Sequence, residues 1–295
     1  MHTAGLILNK LRHPAEATHV MRKRTEILHL KLTNRFSRRS VIGQRSDAPV
    51  VSLTSYGRRL KEVYLAIESI GRGDLLPSRL ILWIDEVNVA QNPPIELRRL
   101  QQRGLEVQIC TNWGPHKKYY PYVQSQSRFL VPLATADDDV LYPRTWLSGL
   151  TKAYQTHPRT VHCYRARRIQ VRDGALMPYR DWPPCSTDMA HPSVIATGVS
   201  GVIYPPELLD AIRRAGNAFE EKCPRADDLW LHVQALRAGF RVRQIGPEPI
   251  HFPHIPGSQE TSLYQENCVQ LNGNDRQSAA LYETRDLALL MEAGW

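Results

Sequence analysis

The residues from 129 to 143 constrain this chain more than any other stretch. They read Phe-Leu-Val-Pro-Leu-Ala-Thr-Ala-Asp-Asp-Asp-Val-Leu-Tyr-Pro. An apolar run of strand length that ends in three carboxylates is typical of a buried strand that delivers charge to the edge of a sheet. Because open α/β sheets bind ligands beyond the carboxyl ends of their strands, this edge is the expected binding site.

The three adjacent carboxylates repel one another, so a cation or ample water must lie beside them. In an extended segment Asp137 and Asp139 point to one side and can share a divalent cation, while Asp138 points to the other side. Mg²⁺ or Mn²⁺ binds few carboxylates together with phosphate oxygens, which makes a nucleoside diphosphate the expected companion. A solvated acidic turn, or an N-cap for a helix that begins near Pro143, would use the same residues.

Strand-like and helical patterns alternate from Val50 onward. We predict strands at 50–56, 79–85 and 105–111 with helices between them, the order typical of a parallel sheet with helices on its faces. A helix at 143–157, strands at 160–171 and 241–245, a polar loop at 257–276 that could close over a ligand, and a helix at 278–293 follow. The sequence therefore predicts an α/β fold with a Rossmann-like nucleotide-binding sheet.

Six segments, in this order along the chain, resemble bacterial glycosyltransferases of the GT-A fold that are family-2-like and carry a metal-binding Asp-x-Asp motif. The resemblance spans roughly residues 50 to 250 and does not cover the first 45. The segments are Val-Ser-Leu-Thr-Ser-Tyr (51 to 56), Leu-Ile-Leu-Trp (80 to 83), His-Lys-Lys-Tyr-Tyr (116 to 120), Asp-Asp-Asp-Val-Leu-Tyr-Pro (137 to 143), Gly-Val-Ser-Gly-Val-Ile-Tyr-Pro-Pro (198 to 206) and Ala-Asp-Asp-Leu-Trp-Leu (226 to 231).

The resemblance implies a GT-A fold and a metal-dependent glycosyltransferase. Such an enzyme would move a sugar from a nucleoside-diphosphate sugar to a hydroxyl of a glycan or lipid-linked acceptor, with Mn²⁺ or Mg²⁺ as cofactor. A metal-dependent nucleotidyl or phosphoryl transferase is the alternative enzyme. A basic nucleic-acid-binding protein is the non-enzymatic alternative, and no nucleic-acid partner is expected, because the charge outside the first 45 residues is nearly neutral.

The resemblance also implies roles for residues that follow the strands. Thr54, Ser55 and Tyr56 would contact the base or ribose, and Asp85 would read the same part of the nucleotide. Arg58 would meet a phosphate through charge-assisted hydrogen bonds. Arg58 could instead be a solvated loop residue, and Asp85 could instead form an ordinary turn at the end of its strand, without any ligand.

Lysines and glycines supply further candidates for the donor side. Lys117 and Lys118, at the start of a helical segment, can bind a diphosphate as cations. A solvated basic helix face would show the same sequence pattern. Gly201 belongs to a pair of glycines before a β-branched strand, a pattern that lets the backbone approach a ligand, and a bulge without a ligand would also use it.

An acidic pair and two histidines complete the candidate site. Asp227 and Asp228 match the acidic pair that begins the acceptor-side helix of GT-A enzymes, which implies a catalytic role, with Asp228 as the general base of an inverting reaction. Their other explanation is that they complement a helix dipole. The resemblance further implies a C-terminal histidine as a metal ligand beside Asp137 and Asp139, with His251 preferred over His254.

Charge is concentrated at the beginning of the chain. Residues 1–45 hold ten lysines and arginines against two glutamates, a net charge of +8 of the +9 carried by all 295 residues. A helical pattern from Ala15 to Phe36 brings Met21, Leu28 and Leu32 to one side, so this segment could lie on an anionic bilayer, or pack on the catalytic domain. The five cysteines are scattered, and indicate neither a zinc site nor a disulfide framework.

We therefore predict two parts, a basic N-terminal helical arm at 1–45 and a single catalytic domain at 46–295. Within the domain, 46–143 would bind the nucleotide sugar, 144–255 would form the acceptor half, and 256–295 would be a C-terminal loop and helix. No apolar run reaches the ~20 residues that a membrane span needs, and the first residues lack the apolar core of a signal peptide. The expected location is the cytoplasm, peripheral on the inner face of the plasma membrane if the arm binds lipid.

Overall fold

The computed structural model describes residues 14–258 and 273–292, without the side chains of residues 14–20 and 292. The loop predicted at 257–276 therefore falls mostly outside the described residues. The described strands are β1 Val50–Thr54, β2 Arg79–Ile84, β3 Leu105–Ile109, β4 Leu133–Ala136, β5 Thr160–Cys163, β6 Ala166–Arg168, β7 Val171–Arg172, β8 Ala175–Leu176, β9 Val194–Ala196, β10 Val202–Tyr204 and β11 Arg241–Gln244.

The helices lie between these strands and at both ends of the described chain. They are α1 Pro14–Phe36, α2 Val63–Gly71, α3 Val87–Gln91, α4 Ile95–Gln101, α5 Tyr120–Ser125, α6 Trp146–Thr156, α7 Pro206–Ala215, α8 Phe219–Lys222, α9 Asp227–Arg237, α10 Gly273–Leu281 and α11 Thr284–Glu292. Short 3₁₀ turns occupy Gly57–Lys61, Gly114–Lys118, Tyr179–Asp181 and Gly198–Ser200. None of the helices in the described residues is long and apolar enough to cross a bilayer.

Seven strands form the central sheet, in the order β11-β5-β10-β4-β1-β2-β3. All neighbouring pairs are parallel except those of β10, which runs antiparallel to β4 and to β5. The predicted α/β fold, a Rossmann-like sheet flanked by helices, is confirmed. Because six of the strands run the same way, their carboxyl ends meet at one edge of the sheet, and the amino end of β10 joins them there.

Helices cover both faces of the sheet because its central strands are apolar on both sides. Val51 and Leu53 of β1 pack into the cluster that contains α2 and α6, whereas Val50 points to the opposite cluster with α5, α7 and α9. Alternate residues of a strand face opposite sides, so a single apolar strand supplies both clusters. Packing of the strands between the two clusters fixes where each strand ends, and hence the position of the loop that follows it.

Two predicted elements are each divided in the structure. The strand predicted at 160–171 is two strands, β5 in the central sheet and β6 paired with β9. The helix predicted at 278–293 is α10 and α11 as far as it is described, because the main-chain N–H of Glu283 donates to Asp286 Oδ2 at 2.8 Å and begins a new helix. Asp286 also pairs with Arg237 of α9, which docks this end of the chain.

Helix α1 packs on the domain and is not a detached arm. Leu30 is fully buried, and Asn34 Nδ2 donates to Glu68 Oε1 of α2 at 3.0 Å. The segment after the helix is also held, since Val41 is buried and its main-chain N–H donates to the carbonyl of Arg103 at 2.9 Å. The described part of the predicted arm is therefore continuous with the core.

A buried ion pair joins α1, α2 and the end of α4. Arg103 donates to both carboxylate oxygens of Glu68, at 2.6 and 3.0 Å, and its Nε donates to the main-chain carbonyl of Arg39 at 2.7 Å. Glu68 is completely buried, so its charge depends on this partner. The pair is one of several polar links between the N-terminal segment and the sheet domain; the Asn34–Glu68 hydrogen bond and the Glu26–Arg72 ion pair are others.

We predict that Arg103→Ala lowers the free energy of unfolding by about 3–5 kcal/mol, because it leaves the Glu68 carboxylate buried without its cation. Urea denaturation measures the change. The exposed Arg98 of α4 gives the matched control, since Arg98→Ala should change stability by less than about 0.5 kcal/mol. A loss of the same small size in both variants would contradict the assignment.

Candidate functional site

A cavity of about 640 Å³ opens at the edge where the carboxyl ends of the strands meet. The turn Gly198–Ser200 before β10 and the amino end of α9 reach this edge as well. Its charged lining residues include acidic Asp85, Glu86, Asp137, Asp138, Asp139, Asp227 and Asp228, and basic Arg59, Lys117, Lys118, Arg165, Arg167, Arg225 and His254. A cavity with both signs of charge at a strand-end edge is suited to a polar, charged ligand.

The three carboxylates after β4 are neutralised by cations of the protein itself. Asp137 lies 2.5 Å from Lys118 Nζ, while Asp138 and Asp139 both pair with Arg59, at 2.7 and 3.1 Å. The chain turns directly after β4 instead of staying extended. For this reason Asp137 and Asp139 contact different cations here, and do not share the one position that an extended segment would give them.

Arg59 fixes the acidic turn from the loop after β1. It donates to Asp138, to Asp139 and to the main-chain carbonyl of Ser258 at 3.0 Å. Ser55 Oγ donates to Asp138 from below at 2.6 Å, and burial raises the pKa of Asp138 to about 6. The neighbouring Arg58, which we predicted as the phosphate contact, is exposed and does not line the cavity.

Lys117 and Lys118 were both predicted candidates and both line the cavity; Lys117 is buried, Lys118 is partly buried, and each forms an ion pair. Lys117 Nζ pairs with Asp85 at the end of β2, which keeps a carboxylate and a cation side by side at the sheet edge. Lys118 Nζ lies 3.4 Å from Asp227 in addition to its contact with Asp137. Lys118 therefore links the acidic turn after β4 to the first residue of α9.

Buried contacts hold the turn that carries these lysines. Ser52 Oγ in β1 donates to the main-chain carbonyl of Lys118 at 2.7 Å. The His116 ring stacks on Phe219 with 4.0 Å between ring centres, and burial lowers the pKa of His116 to about 4. His116 is thus a neutral packing group at pH 7 and supports the turn from behind.

Asp227 and Asp228 begin α9, where carboxylates complement the helix dipole. Both oxygens of Asp228 accept from the main-chain N–H of Gly198 at 3.1 Å. A Cβ on Gly198 would lie 3.1 Å from Asp228 Oδ1, so glycine permits this approach. Burial, and then the charge of Asp227, raise the pKa of Asp228 to about 7, against the opposing charge of Lys118.

The remaining donor-side candidates divide into two groups. Thr54 and Tyr56 line the cavity, whereas Ser55 is buried beneath it against Asp138. Gly201 does not line the cavity: its φ is +93°, and a side chain there would collide with the ring of Trp146. Glycine at 201 therefore serves the packing of α6 against the turn before β10.

One carboxylate and one imidazole face the cavity as a pair. Asp139 Oδ1 and His254 Nδ1 lie 3.8 Å apart, close enough for both to bind one divalent cation whose other ligands are phosphate oxygens and water. A third His, Cys, Asp or Glu ligand is not arranged with them in the described residues. His251, the preferred histidine of the sequence analysis, is exposed and lies outside the lining.

Several functional candidates escaped the sequence analysis. Arg59 was passed over for Arg58, because sequence alone does not show which of two adjacent loop arginines turns inward. Arg165 and Arg167 lie within the strand predicted at 160–171 and were not singled out, although residues two apart on a strand share a side. That spacing was the available signal, and the structure brings both to the cavity.

No protein-family model matches the sequence, and no curated protein matches it. Solved structures with a similar fold include mannosyltransferase PcManGT from Pyrobaculum calidifontis in complex with GDP-Man and Mn²⁺, at 13% identity and TM-score 0.48, covering 95% of this chain and 84% of that one. TarS 1-349 of S. aureus has 14% sequence identity and a TM-score of 0.42, covering 81% of this chain and 71% of that one. The inositol-1-phosphate CTP transferase of T. maritima has 12% sequence identity and a TM-score of 0.40, covering 75% of this chain and 95% of that one.

Proposed function

We propose that this protein is a glycosyltransferase that moves a sugar from a nucleoside-diphosphate sugar to a hydroxyl of a glycan or lipid-linked acceptor. The observation that carries the proposal is Asp228, a carboxylate with a pKa of about 7 in the same cavity as the cations and carboxylates of the strand ends. A general base works best when its pKa is near the working pH. The cavity thus combines a base with a diphosphate-binding edge.

The donor would occupy the edge formed by β1, β2 and β4. Thr54 and Tyr56 are available to the base or ribose, and Lys117 and Lys118 can donate charge-assisted hydrogen bonds to the diphosphate. Both lysines are already paired with carboxylates, so binding would exchange one anion for another around a fixed ammonium. Such fixed donors need no reorganisation as the leaving group gains charge.

A divalent cation, Mn²⁺ or Mg²⁺, would be held by Asp139 and His254. When bound, it would neutralise charge on the departing diphosphate. Asp137 is the less favourable ligand because Lys118 Nζ lies 2.5 Å from it. Arg59 shares Asp139, so its guanidinium would have to yield part of its contact to the cation.

The acceptor hydroxyl would lose its proton to Asp228 as its oxygen bonds to the anomeric carbon and the bond from that carbon to the diphosphate breaks. Attack from the side opposite the leaving group inverts the configuration. Asp227 would act through Lys118, whose ammonium it contacts at 3.4 Å, and would keep that cation close to the reacting centre. The Gly198 N–H holds the Asp228 carboxylate in position.

A screen of nucleotide sugars for donor hydrolysis, with and without Mn²⁺, tests the proposal. Release of free sugar and nucleoside diphosphate from one donor supports it. Transfer of the nucleotide or phosphate portion of a labelled donor would instead favour the nucleotidyl or phosphoryl transferase. Hydrolysis of none of the nucleotide sugars, with and without acceptor present, would refute the glycosyltransferase.

We predict that Asp228→Asn lowers transfer to the acceptor by about 10² or more while donor binding is unchanged, since the amide cannot accept the proton. In the native protein the ionised fraction of Asp228 grows as pH rises, so the rate should rise through pH 7 and level off above it. Initial rates across pH 5.5 to 8.5, a range chosen around the pKa of about 7, provide the measurement. Asp47→Asn, at an exposed carboxylate, is the control; a retained anomeric configuration in the product would contradict the role.

For the metal, we predict that Asp139→Asn and His254→Ala each weaken Mn²⁺ binding by about tenfold or more, because each removes one of two protein ligands. Electron paramagnetic resonance of Mn²⁺, titrated into protein loaded with nucleoside diphosphate, measures affinity independently of activity. His251→Ala is a matched control on the same loop and should bind as the native protein does. Equal losses at both histidines would argue against this ligand pair.

We also propose that the outer face of α1 rests on an anionic membrane surface, at the inner face of the plasma membrane. Its solvent-exposed apolar side chains lie at helical spacing, and exposed basic residues flank them. The apolar row is Met21, Leu28, Leu32 and Phe36, and the basic residues are Arg22, Arg24, Lys31, Arg35, Arg38 and Arg39. Charge complementarity selects an anionic bilayer as the occupant of this face.

Liposomes that contain anionic lipid should bind the full chain at low salt and release it as salt rises, because screening shortens the reach of the basic residues. The double variant Leu28→Ser with Phe36→Ser removes apolar area while Leu30 keeps the helix docked, and should weaken binding. Leu130→Ser, at an exposed leucine outside α1, is the control. Binding that the double variant retains in full would refute the assignment to this face.

A further inference from the structure

Arg59 lies between two carboxylates that are held in different ways. Asp138 is engaged on both oxygens, since Oδ1 accepts from Arg59 Nη1 at 2.7 Å and Oδ2 accepts from Ser55 Oγ at 2.6 Å. Asp139 accepts from Arg59 Nη2 through Oδ2 at 3.1 Å, while its Oδ1 lies 3.8 Å from His254 Nδ1. Asp138 is therefore the fixed partner of Arg59, and Asp139 is the partner that Arg59 shares with the proposed cation position.

The Asp139 carboxylate cannot hold a guanidinium and a divalent cation at full contact at the same time. The two cations would lie side by side, next to side chains of Asp138 and Asp139 that are only 5% and 8% exposed. Repulsion between like charges is strong where water is largely excluded. A cation that binds Asp139 must therefore displace Arg59 Nη2, or bind weakly while Nη2 stays.

The guanidinium of Arg59 has a further donor available for an anion. Its Nε is buried and contacts no acceptor among the described residues, which is costly for a polar group unless a ligand supplies the acceptor. Nε and Nη2 form one edge of the planar guanidinium, and a donor pair on such an edge matches two oxygens of a phosphate. Arg59 lines the same cavity as Lys117 and Lys118, so a diphosphate bound to the lysines lies in the cavity that Arg59 lines.

We propose that Arg59 is an exchangeable cation, which balances Asp139 until a divalent cation and a nucleoside diphosphate bind together, and then donates from Nε and Nη2 to the diphosphate while Nη1 stays on Asp138. This role of Arg59 rests on the proposed function and adds a residue that contacts its leaving group. The exchange keeps charges matched, because the divalent cation replaces the guanidinium at Asp139 and the diphosphate supplies the anion that the released guanidinium needs. Without nucleotide the released guanidinium gains no new partner, so Arg59 opposes metal binding.

Electron paramagnetic resonance of Mn²⁺, titrated into the full-length protein without nucleotide, tests the first half of the exchange. Arg59→Gln should bind Mn²⁺ about tenfold or more tightly than the native protein, the scale of one charge-assisted contact, because the competing cation is gone. Lys61→Gln is the matched control: Lys61 ends the same 3₁₀ turn, is exposed and does not line the cavity, so its loss should leave Mn²⁺ affinity unchanged. Circular dichroism checks that each variant is folded.

Calorimetric titration with UDP and with GDP, at saturating Mn²⁺, tests the second half. Arg59→Lys keeps a positive charge beside the buried aspartates but lacks the Nε and Nη2 donor pair. It should therefore bind the nucleotide that the native protein prefers about tenfold or more weakly. This variant separates the donor pair from the charge, and it decides the test if Arg59→Gln does not fold.

Three results would refute the exchange. One is a folded Arg59→Gln that binds Mn²⁺ alone no more tightly than the native protein. Another is an Arg59→Lys that binds the nucleotide with Mn²⁺ as tightly as the native protein does. The third is a native protein that binds neither UDP nor GDP when Mn²⁺ is present.

Donor hydrolysis by the native protein separates this role of Arg59 from the proposed function. If the native protein hydrolyses a nucleotide sugar with Mn²⁺, and the Arg59 variants bind Mn²⁺ and nucleotide as it does, the exchange alone is refuted. If the variants show the expected shifts but the native protein hydrolyses no nucleotide sugar, the proposed function is refuted. Arg59 then couples metal to nucleotide in a protein that transfers no sugar.

Discussion

The structure of the site depends on ion pairs between the carboxylates at the strand ends and cations from neighbouring loops. Three consecutive aspartates after β4 would destabilise the fold if they were desolvated without cations. Arg59 from the loop after β1 and Lys118 from the turn after β3 supply that charge, so the acidic turn holds three separate strand ends together. The same interactions that stabilise the edge therefore define the shape of the cavity.

This pairing also determines what a ligand must do. A diphosphate that approaches Lys117 or Lys118 meets an ammonium already matched by a carboxylate, and a divalent cation at Asp139 meets Arg59. In the proposed function, the nucleotide-sugar donor and the divalent cation bring opposite charges, so together they can replace both members of an internal ion pair, whereas either alone would leave one member unmatched. Binding of the two is thus expected to be mutually favourable, a coupling that follows from charge balance.

The sequence was sufficient for the fold class and for the positions of most strand ends, because apolar runs that stop at charged residues are local patterns. It predicted Lys117, Lys118, Asp227 and Asp228 for the site, and all line the cavity. Where a candidate lies outside the cavity lining, the cause is a tertiary contact. Gly201 reads as a ligand-binding glycine until Trp146 is seen to fill the space beside it.

Residues 254–258 lie far from Arg59 and Asp139 in sequence but contact both of them. These contacts direct Arg59 toward the cavity and place His254 beside Asp139. Ser258 accepts a hydrogen bond from Arg59, and the main-chain N–H of Ile255 donates to the carbonyl of Asp139 at 2.7 Å. The residues around 255 are therefore bound to the acidic turn through the main chain, which no side-chain pattern encodes. A substitution that displaces this segment would alter both the cation that neutralises Asp139 and the imidazole beside it. The electrostatic environment of the acidic turn therefore depends on the path of the chain around residue 255.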